Sequence, residues 1–344
     1  MKTLKIAMFG FGNAGRAFAK LLIEKQQEIR ISYGFDVEVA AITTLTKGNL
    51  IEDSGIDLRK ALRDIELTGH FDKTWNAYSS CSTEDILLKE DYDVLMEITT
   101  LNIFSGEPAI HNITSALNRK KHVITANKGP IAWKYKELKE LSIKQGAAFL
   151  HETTVMDGTP IFNLVENNLP MCKITGLKGI LNTTTNFVLE EMGKGNSFNY
   201  AIAEGKRKGF VEADPTMDID GFDAAAKLSA LINTLMEGEV TPLNIKRQGI
   251  QNVTSEDIKR AQDAGKVIKL ICEAKFKNGK IIGEVSPKEI KKDEIFAGIS
   301  GTSSVLTIDT DLMGKLTVIE HDPEIEQTGY GLFSDLIRLI KLII

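Results

Sequence analysis

Between Val211 and Leu231 the chain reads VEADPTMDIDGFDAAAKLSAL, which sets Glu212, Asp214, Asp218, Asp220 and Asp223 ahead of a single base, Lys227, and then turns apolar. Three chemistries fit such a string: a metal site, a solvated acidic turn, or carboxylates arranged around a lysine for acid–base work. An EF-hand loop needs acids at alternate positions, a central glycine and a closing Glu at its twelfth position. Counted from Asp214, the alternation breaks at Thr216 and no Glu closes the loop, so the divalent-metal reading is the weaker one. Asp223 and Lys227 stand four apart in DAAAKLSALINTLM, whose period is helical. They share one face with the acid on the N-terminal side, the favourable order for a pair. Exposed, such a pair stabilises by roughly a few tenths of a kcal/mol. Here Leu228, Leu231, Ile232 and Leu235 follow, and a lysine at the mouth of an apolar helix is suited to giving and taking a proton. Asp214, Asp218 and Asp220 are expected only to shape the turn or cap the helix.

A second set of residues lies at the other end of the chain. Gly10, Gly12 and Gly15 form a GxGxxG in LKIAMFGFGNAGRAFAKLLIEK, after an apolar run and at the start of an amphipathic one. In that context Gly10 permits a tight turn, Gly12 lets a pyrophosphate approach the backbone, and Gly15 lets helix and strand pack closely. With Phe11, Asn13 and Ala14 they make a candidate dinucleotide loop; the bland alternative is a glycine-rich turn that packs a helix. NAD-preferring sites usually place an acid at the end of the next strand. Here that position falls in AAITTLTKGN, with Thr43, Thr44, Thr46 and Lys47 and no carboxylate before Glu52. Hydroxyls plus a lysine suit a 2′-phosphate, which favours NADP over NAD. Thr99 and Thr100 in EITT, and Asn127 and Lys128 in TANKGP, fall just past the ends of two further strands, where open α/β sheets hold ligands. Taken alone, a lysine in such a place is more often a solvated loop residue.

These residues need a scaffold that brings strand ends together. DVEVAAITT (Asp36 to Thr44), YDVLMEITT (Tyr92 to Thr100) and KHVITAN (Lys121 to Asn127) read as short buried strands, and GEPAIHNITSALNRKK between the last two as a helix with Pro108 in its first turn. Strands alternating with helices predict a doubly wound parallel sheet. The texture changes after Lys134: strands and helices come at longer spacing, and KVIKLICEAKFKNGKIIGEVSP (Lys266 to Pro287) reads as two strands joined at Asn278-Gly279. The closing LFSDLIRLIKLII, with Asp335, Arg338 and Lys341 every third residue, reads as an amphipathic helix on a core. The expected organisation is therefore a dinucleotide domain over 1–133, completed by the C-terminal helix 322–344, and a mixed domain over 134–321.

Composition agrees with a soluble globular chain of 344 residues, 42% of them hydrophobic, long enough for two domains. The formal charge of -5 and scattered lysines argue against a nucleic-acid or anionic-membrane partner and for a small-molecule one. Cys81, Cys172 and Cys272 are far apart and odd in number, which suits buried thiols in a reducing cytoplasm. No signal segment is evident, and no apolar run reaches the ~18 residues of a membrane span.

Together the motifs GFGNAG, TANKGP, HETTVMDGTPI, GILNTTTNFVL, ADPTMDIDGFDAAAKL and TGYGLFSDLI resemble homoserine dehydrogenase, in family order through most of the chain. The resemblance implies a Rossmann-type domain completed by the last helix, a mixed α/β catalytic and dimerisation domain, and a homodimer. The implied reaction is the reversible NAD(P)-dependent interconversion of L-homoserine and L-aspartate 4-semialdehyde, in threonine, methionine and isoleucine biosynthesis. Carried over by position, the acid/base lysine falls on Lys227, its partner on Asp223, the second active-site lysine on Lys128, and the carboxylate for the substrate's ammonium on Glu212, with Thr184 beside the substrate. The family's monovalent cation, such as sodium, would be held largely by main-chain carbonyls at Glu152, Val155, Asp157 and Thr159. Asp157 stands where the family often has a small residue, Thr183 replaces a glycine near the substrate, and EHDPEI (Glu320 to Ile325) replaces a glycine-rich GPGAG. No aspartokinase or regulatory module is in evidence, so threonine feedback through one is not expected. Two other readings remain: a different amino-acid or semialdehyde dehydrogenase, and a Rossmann-type redox-sensing binding protein. The latter should carry a basic DNA-reading helix or an interaction module, and neither is evident.

Overall fold

The computed structural model describes residues 1–344, the side chain of Lys89 excepted. In chain order its elements begin β1 (Lys2–Phe9), α1 (Asn13–Tyr33), β2 (Phe35–Thr43), β3 (Asn49–Ile51), α2 (Leu58–Thr68), β4 (Tyr78–Ser79), α3 (Thr83–Lys89), β5 (Val94–Glu97), α4 (Ala109–Asn118), β6 (His122–Thr125), α5 (Lys128–Gln145) and β7 (Phe149–Leu150). There follow α6 (Ile161–Asn168), β8 (Ile174–Ile180), α7 (Thr183–Gly193), α8 (Phe198–Lys208), α9 (Thr216–Ile219), α10 (Phe222–Leu235), β9 (Lys246–Arg247), α11 (Ser255–Asp263), β10 (Lys266–Lys277), β11 (Lys280–Lys291), β12 (Ser304–Thr310), β13 (Lys315–Glu320) and α12 (Ile325–Ile343). The chain divides into two compact units: Met1–Pro130, Lys134–Pro160 and Glu324–Ile344 form the first, and Ile131–Trp133 with Ile161–Pro323 the second.

The first unit is built on a seven-stranded sheet in the order β4-β3-β2-β1-β5-β6-β7. β2, β1, β5, β6 and β7 run parallel, and β3 and β4 add an antiparallel edge. β1 supplies Ile6, Ala7, Met8 and Phe9, all fully buried, as a parallel strand covered on both faces must. Its chain neighbour β2 lies on one side and β5 on the other, so the order reverses at β1. The crevice at the carboxyl ends of β1 and β5 is then the ligand position of this fold type. α12 packs on α1 through Gly329, where an added Cβ would lie 2.6 Å from the Ala17 Cβ.

Four expectations differ from this arrangement. Residues 134–160, read as the start of the second domain, belong to the first unit, because β7 pairs in parallel with β6 and the Glu152 N–H donates to the Asp335 carboxylate at 2.8 Å. Asp335 is accordingly fully buried and not on the solvent face of the last helix. Pro108 precedes α4 and follows a cis peptide bond. Of the cysteines, Cys272 is buried while Cys81 and Cys172 are partly exposed, and all three are free thiols.

The second unit carries a six-stranded sheet, β13-β12-β8-β10-β11-β9, antiparallel except where β9 joins β11. Asn278 and Gly279, with φ of 52° and 74°, make the tight turn of the long β10–β11 hairpin. α10 lies on this sheet through Ala224, Ala225, Ala226, Leu228, Leu231 and Ile232, and its slim alanine turn lets the Cys272 sulfur approach the Ala224 carbonyl. Together the units make an α/β protein with a Rossmann-like parallel-sheet domain and a second, mixed domain. Among the described residues no helix is long and apolar enough to cross a membrane.

Candidate active site

In the first unit the glycine loop bridges β1 and α1. Gly10 holds φ at 110°, and a side chain there would collide with the Ile98 carbonyl, so only glycine lets the turn sit beside the end of β5. Gly12 has open space where a Cβ would be, and Gly15 packs so that a Cβ would meet the Ile98 Cδ1 at 2.8 Å. α1 starts at Asn13 with Gly12 as its N-cap and no side-chain cap, so the first-turn N–H groups face an open cradle of the kind a pyrophosphate fills. Asn13 is exposed and Ala14 half-buried. The Phe11 ring is buried at 5.7 Å from the Phe71 ring, which leaves its backbone for a ligand.

The ends of β5 and β6 meet beside that loop. Thr99 is half-buried, its N–H and hydroxyl both donating to Glu97, and Thr100 is exposed. The Asn127 amide donates to the Thr99 carbonyl at 3.2 Å, and its carbonyl caps α5 by accepting from the Gly129 N–H at 3.0 Å. That cap makes Lys128 the first residue of α5, half-buried. Beyond β2, the Thr44 hydroxyl donates to the Gly48 carbonyl at 2.7 Å and accepts from the Lys47 N–H at 2.9 Å, fixing a turn that leaves Thr46 exposed.

Farther along the first unit, Glu152 and Val155 are buried at the single helical turn after β7. Asp157 has φ of 42°, and its carboxylate accepts from the Thr328 hydroxyl at 2.7 Å. The Thr159 N–H closes a turn on the Met156 carbonyl.

In the second unit the structure brings Lys227 and Asp223 together, with Nζ 3.7 Å from the carboxylate and 2.7 Å from the Leu181 carbonyl, to which it donates. It also draws in two residues that the sequence reading left out of the chemistry. Asn182 donates to Asp218 at 2.7 Å and to Asp223 at 3.1 Å, while its carbonyl caps α7 by accepting from the Thr185 N–H. Asp218, expected to serve only the turn, is the third member of this group. Its pKa is raised by burial and by the neighbouring Asp223 charge, which together disfavour ionisation. Local spacing gave no signal for it, because Gly221, with φ of 76°, separates α9 from α10 and the groups that hold Asp218, Asn182 and Thr184, lie far back in the chain. Thr184 is buried, its hydroxyl 2.7 Å from the Asp218 carboxylate and 3.3 Å from the Phe210 carbonyl, so it acts on Asp218. Glu212 stands exposed between α8 and α9. Asp214 turns the chain into α9 by accepting from the Thr216 N–H and hydroxyl. Among the described residues no group of three or more His, Cys, Asp or Glu is arranged to hold a metal ion.

A family model described as homoserine dehydrogenase matches residues 160–337, and one described as homoserine dehydrogenase, NAD binding domain, matches residues 10–152. The chain belongs to the homoserine dehydrogenase family. It is 37% identical over 337 residues to a homoserine dehydrogenase of Methanocaldococcus jannaschii, covering 98% of each chain. It is 33% identical over 340 residues to an NAD(+)-dependent homoserine dehydrogenase of Pseudomonas canavaninivorans, covering 98% of this chain and 97% of that one. A solved hyperthermophilic archaeal homoserine dehydrogenase in complex with NADPH superimposes with a TM-score of 0.83 at 28% identity, covering 99% of this chain and 98% of that one. The family is one of oxidoreductases, and this member carries its NAD(P)-binding domain.

One turn farther along α7, Asn186 is met by a buried lysine. Lys269 donates to the Asn186 side-chain carbonyl at 2.8 Å and to the Ile299 carbonyl, and burial pushes its pKa down to about 8, opposed by the Glu190 carboxylate. Because the unfolded residue keeps its proton up to about pH 10.5, the unfolded chain binds more protons between pH 8 and 10.5. Stability contributed by Lys269 is therefore present above that window and lost as pH falls through it. Denaturant unfolding at both ends of the window should show this rise with pH in the wild type and a flatter one in Lys269→Met; identical slopes contradict the burial penalty.

Proposed function

We propose that this chain interconverts L-homoserine and L-aspartate 4-semialdehyde with NADP, or less readily NAD, as the step of threonine, methionine and isoleucine biosynthesis that the family carries out. The observation that carries the reading is the Lys227, Asp223 and Asp218 cluster joined by Asn182, in a chain that follows the family over nearly its whole length. When bound, the nicotinamide supplies or accepts the hydride. Reduction leaves negative charge on the aldehyde oxygen, and Lys227 stabilises that charge and delivers the proton; oxidation needs the same lysine neutral. Asp223 sets an opposing charge beside it, and the Leu181 carbonyl fixes where the amine points. Glu212 receives the substrate's ammonium as a charge-assisted pair. Asp218 offers a second carboxylate, and Thr184 positions it.

The backbone from Gly10 to Gly15, with Phe11, Asn13 and Ala14, takes the pyrophosphate, and Thr99, Thr100 and Lys128 serve the reactive end. Lys47, held by the Thr44 turn in a segment without a carboxylate, favours a 2′-phosphate. Relatives are named for both cofactors, one as NAD(+)-dependent and one solved with NADPH. A monovalent cation belongs to the reading through main-chain carbonyls at Glu152, Val155, Asp157 and Thr159, since the Asp157 carboxylate is already bonded to Thr328. A homodimer formed through the second unit and a cytoplasmic location complete it.

The lysine is tested by following NADPH consumption with aspartate semialdehyde: Lys227→Ala should lose turnover by about 10²–10⁴-fold, the usual scale of general acid–base catalysis, while NADPH binding followed by its fluorescence is kept. A near-wild-type rate removes the mechanism. Homoserine oxidation with NADP and with NAD should give the higher kcat/KM for NADP, and sodium should raise it over a bulky organic cation. A preference for NAD overturns the role of Lys47, and equal rates in both salts overturn the cation.

A further inference from the structure

Glu97, the last residue of β5, is, like Asp335, an acid of the first unit with no exposed surface. Its Oε1 accepts from the Thr99 N–H at 2.8 Å and from the Thr99 hydroxyl, and its Oε2 accepts from the Asn112 amide at 2.7 Å. Its main-chain carbonyl accepts from the Thr125 hydroxyl at 2.7 Å, and that same oxygen of Thr125 accepts from the Asn127 N–H at 2.9 Å. Asn127 in turn donates to the Thr99 carbonyl and caps α5 by accepting from the Gly129 N–H two residues on. Glu97 is thus the hub of a closed ring, Glu97 to Thr99 to Asn127 to Thr125 and back, that ties the end of β5 to the end of β6. No cation pairs with it among the described residues; neutral donors alone hold its carboxyl, and burial raises its pKa against them. A buried carboxyl without a counter-ion is an expensive way to join two strands that the sheet already pairs. It is a direct way to fix the two residues that leave those strands, Thr99 and Lys128.

We propose that Glu97 is a positioning residue for the reactive end of the cofactor, locking the Thr99 and Lys128 loops into one arrangement before the cofactor binds. The proposal rests on the assignment of Thr99 and Lys128 to the cofactor made above. Glutamine at this position keeps the shape but turns an N–H₂ toward either the Thr99 N–H or the Asn112 amide, so one obligatory donor loses its acceptor.

Three measurements on purified wild type, Glu97→Gln and Asn112→Ala test it: NADPH affinity by fluorescence titration without substrate, kinetics with aspartate semialdehyde, and thermal unfolding. For Glu97→Gln the expected result is NADPH binding weakened about tenfold or more, equivalent to ~1.4 kcal/mol, with kcat lowered and the KM for the semialdehyde kept within about twofold. Asn112→Ala, which touches the carboxyl from α4, should weaken NADPH binding in the same direction by less. Glu97→Asp should recover part of the affinity. A folded Glu97→Gln protein with wild-type NADPH affinity and kcat overturns the proposal, as does a variant whose only change is a lower melting temperature. Should Glu97→Gln not fold, a wild-type affinity in Asn112→Ala overturns it. If the wild type binds NADPH but does not turn over the semialdehyde, the functional reading fails while the affinity comparison still decides the role of Glu97; a wild type that binds no NADPH overturns both.

Discussion

The polar cluster of the second unit is held together by a single side chain, Asn182. One amide donates to both Asp218 and Asp223, and its own carbonyl closes the first turn of α7. Burial and the Asp223 charge disfavour ionisation of Asp218, and the amide of Asn182, shared between the two carboxylates, offsets part of that cost. The same residue therefore fixes the start of α7, the spacing of the two carboxylates, and through Asp223 the surroundings of Lys227. With Leu181, its chain neighbour, accepting from the lysine at 2.7 Å, the end of β8 and the start of α7 together set the amine in place. α10 brings Lys227 to that point on a stem of alanines slim enough to lie close on β10 and β11.

The first unit works by a different constraint. A parallel sheet cannot expose its strand ends at will; it opens a crevice only where the strand order reverses, and here that is between β1 and β5. Glycines at 10, 12 and 15 keep the crevice clear, while buried polar contacts at Glu97, Thr125 and Asn127 hold its far wall. α12 closes the unit from the end of the chain. Its Asp335 reaches the backbone of Glu152, so the segment after β7 is anchored to the dinucleotide unit although it follows five parallel strands and their helices in sequence.

Most of this was legible in the residues. The glycine loop, the strand ends at Thr99 and Lys128, the Asn278-Gly279 turn and the Asp223, Lys227 pair all follow from local spacing, because each is decided by neighbours in the chain. What could not be read depends on partners far away in sequence. Asp218 looked like a turn residue because Asn182 and Thr184, which bury it, lie more than thirty residues earlier. Asp335 matched a polar stripe because its partner, Glu152, is 183 residues distant. Glu97 drew no reading of its own within YDVLMEITT, because nothing local announces that three donors converge on it. The boundary near Lys134 was misplaced for a similar reason: a two-residue strand, β7, carries almost no pattern of its own, yet its pairing with β6 assigns the segment to the first unit.

The central claim is that Lys227 moves the proton. Single-turnover oxidation of homoserine with excess NADP, followed across pH, measures that directly, since the lysine must be neutral to accept the hydroxyl proton. The wild-type rate should rise with pH through one ionisation, and Lys227→Met should be slow and without that rise. A Lys227→Met protein whose rate climbs with pH as the wild type's does would contradict the assignment.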